Sequence, residues 1–245
     1  MPVAKYFEIQ PTKELLPLVN CFWISANNTG VELKFSTLPD GCIELIVSYQ
    51  NNQFKSVKIF GVMVQTYDEV FVPAGELKFG IRLKPLAQEY YLDKCSTLDR
   101  FANFSSNHTG DFAADLLIFA ERVTADMLNA IDPITIDKRK IELFNILEKY
   151  SGNVDVRTIA ENSFWSARQI NRYINRLLGI PLKTYSNILK CYSSYKHIKI
   201  GDLTPSTGYY DQSHFIREIK KHTGTTPKVL SKNEADRYLQ FNASQ

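Results

Sequence analysis

The hydrophobic period of this chain changes once, near residue 111, and that change decides what it can fold into. Before it, short runs rich in β-branched and aromatic residues alternate with turn signals. The runs are VELKFSTL (31–38), CIELIVSY (42–49), SVKIFGVMV (56–64), EVFVPA (69–74) and LKFGIRLK (77–84), broken among others by Pro39-Asp40-Gly41 and Ala74-Gly75. In the last run Phe79, Ile81 and Leu83 share one face while Lys78, Arg82 and Lys84 share the other, the two-residue repeat of a strand. After the change, Phe112, Leu116, Phe119, Val123 and Met127 recur at helical spacing. Such a chain is α+β. Five short strands predict a small antiparallel barrel or sandwich, followed by trailing helices. The apolar stripe from 112 to 127 either packs on that sheet or forms the seam of a homodimer, and spacing alone leaves both open.

Asp132-Pro133 marks the next boundary, dividing a β-rich domain (1–132) from a helical one (136–235). A length of 245 residues suits two domains, and an apolar content of 44% is enough for ordinary cores. Charge divides at the same place. Residues 1–135 hold 11 Lys and Arg against 16 Asp and Glu, and residues 136–245 hold 18 against 10. A net charge of −5 is therefore joined to one of +8, so a polyanionic partner is expected to meet the C-terminal part alone.

Within that part the cap signals are explicit. IELFNILEKY (141–150) ends at Gly152, and VRTIAEN (156–162) is short. Ser166 opens a helix that stops at Gly179, Pro181 opens a long one to about residue 200, and Asp211 opens another that stops at Gly224. In the helix 166–178, Ile170, Tyr173, Ile174 and Leu177 fall on one face. Arg168, Arg172 and Asn175 point away from it, flanked by Gln169, Asn171 and Arg176. Such a polar face is also what any solvated helix presents. A short preceding helix, a four-residue break at 163–166 and the local positive charge favour a helix-turn-helix. Arginine can then bond guanine O6 and N7 together, and asparagine or glutamine adenine N6 and N7. In DQSHFIREIKKHTG (211–224), Phe215, Ile219 and His222 face inward, and Ser213, Arg217 and Lys220 outward.

The stretches TIAENSFWSARQINRYINRLLGIPLKTY and GYYDQSHFIREIKKHTGTTP, within residues 140–231, resemble the AraC/XylS family of transcription regulators. Gly208-Tyr209, Asp211-Gln212-Ser213, Phe215, Lys220, Gly224 and Pro227 fit that family's signature. The resemblance implies two helix-turn-helix units joined by a linker helix. It places base-reading side chains at Arg168, Asn171 and Arg172, then at Gln212, Ser213 and Arg217. One departure stands out. GDLTPSTG (201–208) has Pro205 where the family carries a full helix, and proline breaks a helix interior. LPDGCIELIV (38–47) and FGIRLKP (79–85) resemble the β-rich, in places cupin-like, sensor domains that precede such units.

A bacterial, cytoplasmic regulator of transcription follows as the expectation, with double-stranded DNA as partner and RNA polymerase, a small-molecule effector and a second copy as further ones. Glu44 and Arg82 are candidate effector-binding residues, although neighbouring strands would also make them an ion pair. Two rivals are a cupin-like small-molecule-binding protein or enzyme on the N-terminal domain, and a helical region that serves as a protein-interaction module. Neither a nucleophile–base set nor metal-ligand spacing appears. The histidines are His108, His197, His214 and His222, and the cysteines Cys21, Cys42, Cys95 and Cys191 show no CxxC pair. The expectations are therefore no enzyme activity, no cofactor or metal, and reduced thiols. No apolar run reaches the about 20 residues that cross a bilayer, and MPVAKYFEIQPTKELL lacks the pattern of a secretory signal.

Overall fold

The computed structural model describes residues 5–94, 100–104, 109–205 and 208–232; Cys95 and His108, and the end of the segment to 235, lie outside them. Among the described residues, seven strands come first. They are β1 (Lys5–Ile9), β2 (Val19–Ala26), β3 (Leu33–Thr37), β4 (Ile43–Gln50), β5 (Gln53–Phe60), β6 (Tyr67–Val72) and β7 (Glu76–Leu83). Among the described residues the α-helices that follow are α1 (Leu86–Tyr90), α2 (Arg100–Phe104), α3 (Phe112–Ala130), α4 (Lys138–Lys149), α5 (Val156–Ser163), α6 (Ala167–Leu178), α7 (Leu182–Lys199), α8 (Gln212–Thr223) and α9 (Pro227–Lys232). The architecture is α+β, with antiparallel strands first and helices after. It forms two compact units. One holds Met1–Lys34, Cys42–Gly61 and Phe71–Ile136; the other holds Phe35–Gly41, Val62–Val70 and Asp137–Gln245.

In the first unit, five strands form a sheet in the order β1-β2-β7-β4-β5, each neighbour antiparallel. No barrel closes among the described residues. Of the expected barrel or sandwich, the barrel is corrected to an open sheet with edges at β1 and β5, while β3 and β6 pair with each other in a separate two-stranded sheet. Asn51 and Asn52 join β4 to β5 with φ of 50° and 64°, the two left-handed residues of a tight hairpin turn. Phe22, Ile24, Leu45, Val47, Phe79 and Ile81 are buried on one face. On α3, Leu116, Phe119, Val123 and Met127 are buried too, and the Phe119 ring lies 5.1 Å from that of Phe79. The stripe is therefore internal packing, and the seam alternative is set aside.

On the opposite face Trp23 crosses β7 to reach β4. Its Nε1 donates to Glu44 at 3.0 Å, and the ring fills the space above Gly80. A Cβ on residue 80 would lie 1.9 Å from the indole. Gly80→Ala is therefore expected to destabilise this unit by about 1–3 kcal/mol, the usual range for overpacking. An unchanged urea midpoint would show that the ring sits elsewhere in solution.

The second unit stacks α4, α5 and α6 against the first half of α7, burying Leu143, Leu147, Ile159, Ile170, Ile174 and Ile188. A second cluster forms around the far half of α7. It joins Cys191, Tyr195 and Ile198 to Phe215 and Ile219 of α8, Leu230 of α9 and, from far earlier in the chain, Leu38.

Candidate nucleic-acid interface

α6 and α8 are built alike. Ser166 Oγ accepts the Gln169 N–H at 3.3 Å, and Gln169 Oε1 accepts the Ser166 N–H at 2.8 Å, a reciprocal capping box. Asp211 caps α8 by accepting the His214 N–H at 2.7 Å. Gly179 and Gly224 end the two helices at φ of 69° and 73°, where the absence of Cβ removes the left-handed penalty.

Each helix divides cleanly between core and solvent. α6 buries Ile170, Tyr173 and Ile174 and exposes Arg168, Asn171, Arg172, Asn175 and Arg176. α8 buries Phe215, Ile219, His222 and Thr223. Its exposed side presents Gln212, Ser213, Arg217 and Lys220, and Ser213, Ile216, Arg217, Lys220 and Lys221 line one shallow, open depression. Of the six side chains expected at the bases, all are exposed and all lie in the first turns of these helices. Two are also engaged locally. The Asn171 amide donates to the Ala167 carbonyl at 2.8 Å, and the Gln212 amide to the Leu203 carbonyl at 3.0 Å. Gln212 thereby ties the start of α8 to the preceding loop.

The turn into α6 is braced by aromatic and cationic side chains. Trp165 meets the Tyr173 ring edge-on at 5.0 Å. Arg139 lies 5.5 Å from the indole centroid, while Lys140 and Arg176 lie 5.0 and 5.9 Å from that of Tyr173. Phe164 occupies the left-handed C-cap of α5, at φ 56° and ψ 31°, a backbone that costs a non-glycine residue about 1–2 kcal/mol. Its ring is nevertheless 84% exposed. Helical spacing gave no sign of this residue.

The support of α8 departs from that of α6. No helix precedes it among the described residues of 201–211. Asp202 instead accepts from the Thr204 N–H in a local turn ahead of Pro205. Leu203 and Tyr209 cover part of the second cluster, and Leu38, fully buried, fills it from the segment before β4. Nearby, Thr66 donates its N–H to the His222 carbonyl at 2.9 Å, and His222 Nδ1 lies 2.8 Å from the Val64 carbonyl oxygen. Burial pushes the Cys191 thiol up to about 12 and raises Tyr195 and Tyr209 as well, so Cys191 stays protonated at neutral pH. Burial lowers Lys190, opposed by Glu218, and its Nζ donates to the Gly208 carbonyl at 3.2 Å.

In the first unit, Glu44 and Arg82 are brought together at 2.8 Å. The other Glu44 oxygen takes the Trp23 N–H, so both carboxylate oxygens are engaged within the chain. Among the described residues no three His, Cys, Asp or Glu side chains converge to hold a metal ion, and no helix is long and apolar enough to cross a membrane. Cys21, Cys42 and Cys191 are in no disulfide.

A family defined as a domain of unknown function, DUF6597, matches residues 7–99. No curated protein matches the chain. Among solved structures, the chain is similar to the apo form of a ToxT variant from Vibrio cholerae strain SCE256, at 12% identity and a TM-score of 0.42, covering 93% of this chain and 96% of that one. ToxT from Vibrio cholerae O395 is similar at 12% identity and a TM-score of 0.41, with 95% and 98% covered. The same protein bound to (E)-4-(8-methylnaphthalen-1-yl)but-3-enoic acid gives 13% and 0.41, with 94% and 97% covered. At that distance the similarity is one of chain course and brings neither function nor ligand to this chain.

Proposed function

We propose that this chain is a sequence-specific DNA-binding regulator of transcription, in which α6 and α8 enter successive major grooves. The observation that carries this reading is the paired design of the two helices. Each is capped, buries one apolar face and turns Arg168 and Arg172, or Arg217 and Lys220, toward solvent with no ion pair among the described residues. The resemblance of residues 140–231 to AraC/XylS regulators supports the same reading. In it, exposed lysines and arginines hold phosphates, while Arg168, Asn171, Arg172, Gln212, Ser213 and Arg217 meet base edges. The N-terminal unit acts as the regulatory part, through a small-molecule effector or a second copy, and RNA polymerase is the downstream partner.

The spacing fits one chain on one site. α7 has 18 residues and at about 1.5 Å each is roughly 27 Å long, whereas major-groove faces on one side of B-DNA recur about every 34 Å. The widths of α6 and α8 make up the difference. Affinity for duplex DNA is then expected to fall linearly in log–log form with salt, by roughly a thousandfold between about 50 and about 200 mM if some six phosphates are held. Salt-independent binding, or none at low salt, overturns the proposal.

The two helices should also read separate sequence. Sites selected from a random duplex library are expected to lose preference in one block with Arg172→Ala and in another, about 10 base pairs away, with Arg217→Ala. Each loss should amount to about 1–3 kcal/mol. If both variants relax the same block, the two-groove arrangement is wrong. If Arg217→Ala weakens all sites alike, α8 holds only backbone.

A further inference from the structure

Each of the two helices assigned to DNA is preceded by one large ring that the protein leaves in solvent. Phe164 is 84% exposed and stands two residues before the Ser166 cap; Tyr210 is 93% exposed and stands one residue before the Asp211 cap. Neither position is explained by folding. Phe164 holds a left-handed backbone that Gly179 and Gly224 supply at the ends of α6 and α8, so glycine would be the better local choice. Its neighbour Trp165 takes the packing role, edge-on to Tyr173. Ahead of α8, Tyr209 takes that role, 5.0 Å from Phe215. The Tyr210 N–H donates to His214 Nδ1 at 3.1 Å, which fixes its backbone at the start of α8 and leaves the ring outside.

The surroundings indicate what covers these rings. The helices they precede carry Arg168 and Arg172, and Arg217, Lys220 and Lys221, all exposed, which favours a polyanion over a protein surface of mixed charge. When the first turn of a helix reaches base edges, the residues just before its cap lie at the rim of the groove. There an uncharged ring meets deoxyribose faces and thymine methyl groups. We infer that Phe164 and Tyr210 are DNA-contacting side chains, one per helix, packing on sugar and thymine-methyl surface beside the bases read by α6 and α8. This rests on the DNA-binding reading and adds to it a contact class that the basic residues cannot supply.

The test uses the full chain and a pool of random-sequence duplexes about three helical turns long, with binding followed by fluorescence anisotropy across a salt series. Phe164→Gly is expected to melt at a higher temperature than the unaltered chain, since the left-handed strain is relieved, and yet to bind roughly tenfold more weakly. Tyr210→Ala is expected to lose a similar factor, and Tyr210→Phe to keep its affinity. For all three the slope of log affinity against log salt should stay unchanged, because no phosphate contact is removed. If the unaltered chain binds and Phe164→Gly and Tyr210→Ala bind equally well, the inference fails while the DNA-binding reading stands. It fails too if the losses come with a shallower salt slope, or if Tyr210→Phe is as weak as Tyr210→Ala. If the unaltered chain does not bind at all, both fail together.

Discussion

Leu38→Ala is expected to destabilise α8 and α9 by about 2–5 kcal/mol, the usual range for emptying a buried leucine site, and to spare α6. Leu38 is fully buried among Cys191, Tyr195, Ile198, Phe215, Ile219 and Leu230. These side chains belong to α7, α8 and α9. Where a supporting helix would stand, residues 201–205 form turns ahead of and at Pro205, and among the described residues Leu203 and Tyr209 are what pack against the cluster there. α6 packs on α5 and α7, with α4 behind α5, and its own buried side chains Ile170 and Ile174 are not members of the cluster that holds Leu38. Hydrogen exchange read by mass spectrometry separates the two outcomes. Peptides from 212–223 should lose protection in the variant, and those from 167–178 should keep it. A fragment beginning at Asp137 should show the same asymmetry, because it lacks Leu38 and also Val64 and Thr66, which hold His222. Equal protection of both peptides in the fragment would show that α8 folds without the early segments. Equal loss of both would show that the unit does not divide in this way.

That asymmetry also marks where the sequence stops being legible. The limits of α6 and α8 follow from Ser166, Gly179, Asp211 and Gly224, because caps and terminators act within one turn and are written locally. The exposed arginines follow from the same helical repeat that buries Ile170 and Ile174. Leu38 does not follow, since its partners are more than 150 residues away and LPDG reads only as a strand end and a turn. β2 is missed for a different reason. In VNCFWISA both faces are buried, with Phe22 and Ile24 toward one side and Cys21 and Trp23 toward the other, so the two-residue alternation that reveals a half-exposed strand is absent. β1, an edge strand with Lys5, Phe7 and Glu8 exposed, sets Tyr6 and Phe7 side by side and so shows no two-residue period. Four of the five expected strands lie within two residues of their expected bounds, whereas the run 56–64 belongs to β5 only as far as Phe60. Their closure into a barrel is misread, because strand pairing is set by partners the pattern does not name. Phe164 escapes every periodic argument, since its exposure and its left-handed backbone are properties of a single turn.

A second large effect is expected at α3. Phe119→Glu should unfold the first unit. The Phe119 ring is fully buried and lies 5.1 Å from Phe79 on the sheet. Truncating a buried phenylalanine to alanine already costs about 3–5 kcal/mol, and a carboxylate at this point loses its hydration among apolar side chains. A domain holds only about 5–15 kcal/mol of stability in total, so the substitution removes most or all of it. Leu117 makes the control. It lies on the same helix two residues earlier and is 51% exposed, so Leu117→Glu is expected to stay within about 0.5 kcal/mol of the unaltered chain. Circular dichroism melting and sedimentation together decide the point. A folded monomer of Phe119→Glu beside a dimeric unaltered chain would mean that the stripe 112–127 is a seam between copies after all. An unfolded Phe119→Glu beside a folded Leu117→Glu places it against the sheet, and leaves any association between copies to surfaces outside this stripe.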